Sequence, residues 1–306
     1  MMRSYEIKRI SPAVNKTSQK IGPKILVNPY YGCEHQCLFC PANDGFLKRK
    51  AFDDFREKGV IRVVENIIDH VDNYILNNDY AKVIHLSPVS DPFQPVEAEL
   101  QLSRQIIKHA ADINMPVAIC TKGSVPGELY PLIQKHPHSF VQISILTINE
   151  AKRKMLVRGS GASVEELLNE IEAMSDYGIR IIARIDPIFP YITDDMAEFE
   201  ALVDELKKRK VRYIVSSVAD VIEGALDRER GYLEAIQPGL SEKYTNLYTE
   251  KINGRLHANT EYRENIFSKL KEICESKGLE FGITWEPDIN GNSINHKYSH
   301  QISNML

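Results

Sequence analysis

Cys33, Cys37 and Cys40 fall at C-x3-C-x2-C spacing within Asn28-Pro-Tyr-Tyr-Gly-Cys-Glu-His-Gln-Cys-Leu-Phe-Cys-Pro-Ala42. Three thiolates on so short a loop can ligate three irons of a [4Fe–4S] cube. The fourth iron is then left without a protein ligand and is open to a substrate or co-substrate. Pro29 fixes φ and Gly32 permits a sharp bend, so the residues before Cys33 read as a turn leaving a strand at Lys24–Asn28. A zinc site would want a fourth Cys or His in paired spacing. His35 lies inside the loop, yet no second pair follows. Five cysteines, an odd number, and an N-terminus with no apolar leader argue against a disulfide framework.

The elements that must carry this loop follow from periodicity and punctuation. Residues 1–23 are polar, broken at Ser11-Pro12 and Gly22-Pro23, and read as an N-terminal arm. After the cysteines, Asp44–Lys58 interleaves Phe46, Phe52 and Phe55 with Lys48, Arg49, Lys50 and Arg56, a charged lid or a nucleic-acid contact. Val60–Asn77 has apolar residues at helical spacing. Strands are expected at Ala81–Leu86, Pro116–Thr121, Phe140–Leu146, Ile179–Ile185 and Val211–Ser216. Helices are expected between them, at Glu97–Asp112, Pro126–Lys135, Ser163–Tyr177 and Asp194–Lys208. Ser163 with Glu166 makes a capping box for the third of these, and Gly178 ends it. Six strands alternating with helices predict a parallel α/β sheet, with chemistry at the C-terminal ends of its strands. Beyond residue 225 the pattern changes: helices at Arg228–Ile236 and Glu261–Lys277, a strand at Leu279–Trp285, and a polar Asn290–Leu306 tail.

The cysteine loop resembles the cluster motif of the radical SAM (S-adenosylmethionine) superfamily. Its wording is similar to the spore photoproduct lyase-like branch, and the resemblance runs over about residues 24–220. It implies a partial (β/α)6 TIM-like barrel at 24–225, with a C-terminal extension at 226–306 that closes the barrel. It implies a [4Fe–4S] cluster on Cys33, Cys37 and Cys40, SAM on the open iron, and Phe39 near the adenine. Ser90 and Asp91 match a Ser-Asp pair that contacts SAM, Lys122 a lysine on its carboxylate, and Ser144 a serine near its methionine part. Arg184, with Asp186 beyond it, stands where the superfamily often places a polar SAM contact. An arginine in an apolar strand needs an anion, and either SAM or an internal carboxylate would serve.

The implied activity is reductive cleavage of SAM to a 5′-deoxyadenosyl radical that abstracts hydrogen from a substrate. The branch implies a nucleic acid or nucleotide as that substrate, with a peptide or small molecule as the alternative. A flavodoxin or ferredoxin is the implied electron donor. The sequence departs from the branch at Pro88, where photoproduct lyases carry their hydrogen-donor cysteine. Cys120 is the substitute candidate, sharing a strand face with Lys122. Tyr30 and Tyr31 could relay a hydrogen atom, and His85 and Ser87 share a face that could line the cavity. A reading from another class is a non-catalytic zinc or redox-sensing iron–sulfur module.

A net charge of −4 supplies no overall basic footprint for nucleic acid. No run of 18 apolar residues is present, so no membrane span is expected. Without a leader and with its cysteines clustered, the chain is expected to be cytoplasmic.

Overall fold

The computed structural model describes residues 4–8, 14–15, 24–40, 55, 58–77, 82–284, 286–287, 290 and 292–293. Apart from Phe55 and Lys58, the expected lid at Asp44–Lys58 lies outside the described residues, as do most of the arm and the polar tail. The chain forms two compact units. The first comprises Met1–Ile143, Val157–Ala162 and Glu172–Ile181; the second comprises Ser144–Leu156, Ser163–Ile171 and Ile182–Leu306.

In the first unit, Lys24–Val27, Val83–Leu86, Val117–Thr121 and Phe140–Ser144 pair side by side, all parallel. Their registers include Val27 with Leu86, Leu86 with Ile119, and Cys120 with Gln142. Val117–Thr121 and Phe140–Ser144 are buried almost throughout, while Lys24–Val27 and Val83–Leu86 alternate buried with half-buried residues. The covering helix Leu102–Asp112 buries Leu102, Ile106, Ile107, Ala110 and Ala111, one stripe at helical spacing.

Two expectations need correction here. Val60–Asn77 is not one helix: Val60–Val64 is a strand, parallel to Ser4–Lys8 and antiparallel to Tyr30–Tyr31, and the helix is Ile67–Leu76. The segment Val-Ile-Arg-Val-Val is almost wholly β-branched, and with two strands to pair with, that preference overrides the coincidental helical spacing. Glu97–Asp112 is likewise broken, at Gln101 with φ 55°. The buried Glu97 carboxylate accepts from Ser103 N and Arg104 N, each at 3.0 Å, and so caps the second helix from inside the first.

In the second unit Tyr213–Val218 pairs in parallel with Arg180–Ile188 on one side and with Glu280–Ile283 on the other. The expected capping box is present: Ser163 N donates to Glu166 Oε2 at 2.7 Å and Glu166 N to Ser163 Oγ at 3.2 Å. It opens the helix Val164–Asp176. Asp195 caps Met196–Lys208 by accepting from Glu198 N. Unanticipated are the helix Leu240–Leu247 and a small antiparallel sheet in which Arg255–His257 lies between Val221–Ile222 and Glu250–Ile252. The parallel pairing and alternation are those of the α/β class, in the order of a partial (β/α)6 barrel. No described helix is long and apolar enough to cross a membrane.

The second unit is fastened by Arg263, which is fully buried. Its guanidinium reaches Glu286 Oε2 at 3.1 Å, Glu250 Oε2 at 2.9 Å and Pro287 O at 2.7 Å. Burial pushes the Glu286 carboxyl up to about 7 despite the bond from Val218 N and the arginine's charge. Arg263→Met leaves two enclosed carboxylates without their cation, and a loss of about 3–5 kcal/mol is expected in urea denaturation. Glu286 lies above its usual range when folded, so its protonated form persists to near neutrality. The variant's deficit is therefore smaller at pH 5 than at pH 8.

Candidate functional site

The strand Lys24–Val27 ends at Asn28, and the chain turns through Pro29 to Gly32, whose φ is +103°. A Cβ at Gly32 would lie 2.8 Å from Phe55 Cβ, so both backbone and space call for glycine. The cysteine loop then closes on itself through Gln36 N to Cys33 O and Cys40 N to Cys37 O, both 3.3 Å. Cys33 is buried and Cys37 and Cys40 half-buried, all three as free thiols. Phe39, beside Cys40, is buried with φ +54°, an uncommon conformation for an aromatic residue.

The Ser87–Gln94 loop, which follows the next parallel strand, pins the cysteine loop. Val89 N donates to Asn28 Oδ1 at 3.2 Å, and Ser90 Oγ donates to Tyr30 O. Gln94 is buried and brackets the turn, its Nε2 on Gly32 O at 3.1 Å and its Oε1 accepting from Glu34 N at 2.9 Å. From the other side, the segment Val157–Ala162 lies along the loop. Gly159 N donates to His35 O at 2.8 Å and Ser160 N to Glu34 O at 3.0 Å, while Cys37 bridges to Val157. A Cβ on Gly159 would stand 1.9 Å from Glu34 O.

At the centre of these contacts is Asp91, only 8 % exposed. Its Oδ1 accepts from Thr121 Oγ1 at 2.7 Å and Phe93 N at 2.9 Å, and its Oδ2 from Lys122 N at 2.6 Å. His35 Nε2 lies 3.1 Å from Oδ2, ion-pair distance but off the line of a hydrogen bond. His35 Nδ1 faces Ser160 Oγ at 3.5 Å. Burial alone would raise the Asp91 carboxyl; the histidine and the bonds from Lys122 N and Thr121 Oγ1 outweigh it and hold the group below the usual carboxylate range.

Burial pushes the Cys33 thiol well up, and the charges of Asp91, Cys40 and Cys37 add to the effect. Burial likewise pushes Cys37 up to about 12, with Lys122 as the opposing cation. The three thiols therefore feel one another in a poorly hydrated place, a donor set that a cationic metal group would deprotonate and neutralise. Among the described residues no three His, Cys, Asp or Glu side chains meet as ligands of a single ion. His35, the other candidate ligand within the loop, is turned to Asp91 and Ser160.

Of the remaining sequence-predicted residues, Tyr30 is fully buried and its hydroxyl donates to Glu97. Burial, then the charge of Glu97, drive that phenol's pKa up. Tyr31 is also buried, paired with Arg62 across the short antiparallel ladder. Cys120 is half-buried, in register with the buried Gln142. Lys122 follows two residues on, its backbone held by Asp91. In the second unit, Ser144 is buried, and Arg184 is ion-paired with Asp186, which also accepts from Ser217 Oγ.

Sequence reasoning missed Gly159 and Gln94, and it gave His35 no role beyond that of a spare zinc ligand. The Arg158-Gly159-Ser160-Gly161 run was the only sequence signal for a close backbone approach.

Residues 27–206 match the Radical SAM superfamily, more than half of the chain, and the chain belongs to that superfamily. Among characterised relatives, a radical SAM Nalpha-GlyT isomerase of Pseudomonas phage M6 is 24% identical over 86% of this chain and 54% of its own length. An uncharacterized protein of Methanocaldococcus jannaschii is 28% identical over 61% of this chain and 67% of its own. The chain thus spans about half the length of the phage relative. Solved structures of spore photoproduct lyase share its fold. One complexed with dinucleoside spore photoproduct has a TM-score of 0.66 at 13% identity, covering 92% of this chain and 82% of the lyase. A variant of that lyase has a TM-score of 0.67 over the same shares.

The Gly159 contact predicts that Gly159→Ala displaces the loop without unfolding the chain. Cluster retention after anaerobic reconstitution is expected to fall about tenfold or more, with far-ultraviolet circular dichroism unchanged.

Proposed function

We propose that this chain is a photoproduct lyase-like radical SAM enzyme acting on a nucleotide or nucleic-acid substrate. The observation that carries the reading is the three-thiol loop, fastened from two sides by Asp91 and Gly159. When bound, a [4Fe–4S] cluster and SAM would supply an electron and a 5′-deoxyadenosyl radical able to take hydrogen from a substrate carbon.

The chain's own residues bind, orient and shield. Cys33, Cys37 and Cys40 hold the cluster, and the buried Phe39 is proposed to face the adenine. Lys122, whose backbone is fixed by Asp91, is proposed to pair the carboxylate of SAM. Both oxygens of Asp91 are already taken, so its share is to position His35 and Lys122. Ser90 spends its hydroxyl on Tyr30 O and holds the loop from behind. Ser144 and Arg184 are proposed as SAM contacts from the resemblance alone. Cys120 is proposed as the hydrogen donor that Pro88 cannot be, with Tyr31 as a relay and Tyr30 as its anchor.

A nucleotide substrate is supported by the dinucleoside bound in the lyase structures. A flavodoxin or ferredoxin is the proposed electron donor.

The test is anaerobic reconstitution, addition of SAM and dithionite, and quantification of 5′-deoxyadenosine. Wild type is expected to hold about four irons and to form the product, and the Cys33/Cys37/Cys40→Ala variant to do neither. One zinc per chain and no product would overturn the reading in favour of a metal-binding module.

A further inference from the structure

Lys122 stands on a turn that is fixed more firmly than the end of a strand requires. Its N–H donates to Asp91 Oδ2 at 2.6 Å, and its carbonyl accepts from Ala162 N at 3.2 Å. The next N–H, that of Gly123, donates to Thr121 Oγ1 at 2.8 Å. Gly123 also rests against the Ser87–Gln94 loop: a Cβ there would lie 2.7 Å from Phe93 O. Segments 91–93, 121–123 and 157–162 therefore agree on where one lysine leaves the backbone.

Thr121 joins these restraints. It is the last residue of the strand Val117–Thr121 and is 1 % exposed. A hydroxyl has a single hydrogen to give. Asp91 Oδ1, at 2.7 Å, is the nearer acceptor for it, and Gly123 O is at 3.3 Å. The same oxygen takes the Gly123 N–H. One hydroxyl thus ties the carboxylate that holds the lysine's N–H to the peptide that follows the lysine. A lysine is a point charge on a flexible stem, and fixing it costs side-chain entropy. A root set in advance removes part of that cost. The ammonium acts near the cysteine loop, since Lys122 is the cation that opposes the upward push on the Cys37 thiol.

We propose that Thr121 is a positioning residue that, with Gly123, aims the Lys122 ammonium at the carboxylate of SAM, so that losing its hydroxyl weakens recognition of that carboxylate and of no other part of the ligand. This rests on the proposed pairing of Lys122 with SAM and deepens it.

The experiment measures binding of SAM and of 5′-methylthioadenosine to the reconstituted holoprotein. The second ligand keeps the adenosine and lacks the carboxylate. Thr121→Val is expected to weaken SAM binding about tenfold, ~1.4 kcal/mol. Binding of 5′-methylthioadenosine should stay within about twofold, below what losing a hydrogen bond to a charged group costs. Thr121→Ser keeps the hydroxyl and is expected to restore SAM binding. In a Lys122→Met background, Thr121→Val is expected to change SAM binding no further. Gly123→Ala leaves the bonds to Asp91 in place but forces the turn away from Phe93 O, and it is expected to show the same selective loss. It serves as the test if Thr121→Val does not retain its cluster. The proposal is overturned if both ligands weaken together, if neither weakens, if serine does not restore SAM binding, or if the valine costs as much without the lysine as with it. Each of these can be read on protein that holds about four irons and forms 5′-deoxyadenosine, so this inference can fail while the radical SAM reading stands.

Discussion

The architecture of the candidate site depends on one buried carboxylate. Asp91 sits where charge is costly, and it is tolerated because both oxygens are engaged: Thr121, Phe93 and Lys122 donate to it and His35 stands at ion-pair distance. Those groups come from three stretches that are far apart in sequence. An enclosed, saturated anion of this kind is specific about geometry, because no partner can move without leaving charge uncovered. The cysteine loop inherits its position from that requirement.

Space provides the complementary constraint. Where Val157–Ala162 runs along the loop, Gly159 approaches so closely that even a methyl group has no room. Gln94 fills the remaining side by reading both a carbonyl and an N–H of the turn. The loop is thus held by polar backbone contacts together with the buried side chains of Leu38 and Phe39.

Much of this was legible in the chain. The three cysteines, the alternation of apolar runs with helical stretches, and the Ser163–Glu166 capping box are local signals, and they translate directly into local structure. What was illegible depends on distant partners. Val60–Val64 scans equally as helix or strand until Ser4–Lys8 and Tyr30–Tyr31 lie beside it. The break at Gln101 depends on Glu97 reaching forward to Ser103 and Arg104. The small antiparallel sheet is a different case. Asn253-Gly254 joins Glu250–Ile252 to Arg255–His257 with φ 52° and 79°, a hairpin signal that was open to reading and passed over. At the site, Gly159 and Gln94 act through backbone contacts, which leave almost no trace in residue type.

The chain passes between its two units repeatedly, at 143/144, 156/157, 162/163, 171/172 and 181/182. The short excursion Val157–Ala162 is the one that returns to brace the cysteine loop. Neither unit is therefore a separable module. A cut after residue 143 would keep all three cysteines and discard the strut that seats them. No single break in the chain separates the three cysteines together with their brace from the second unit.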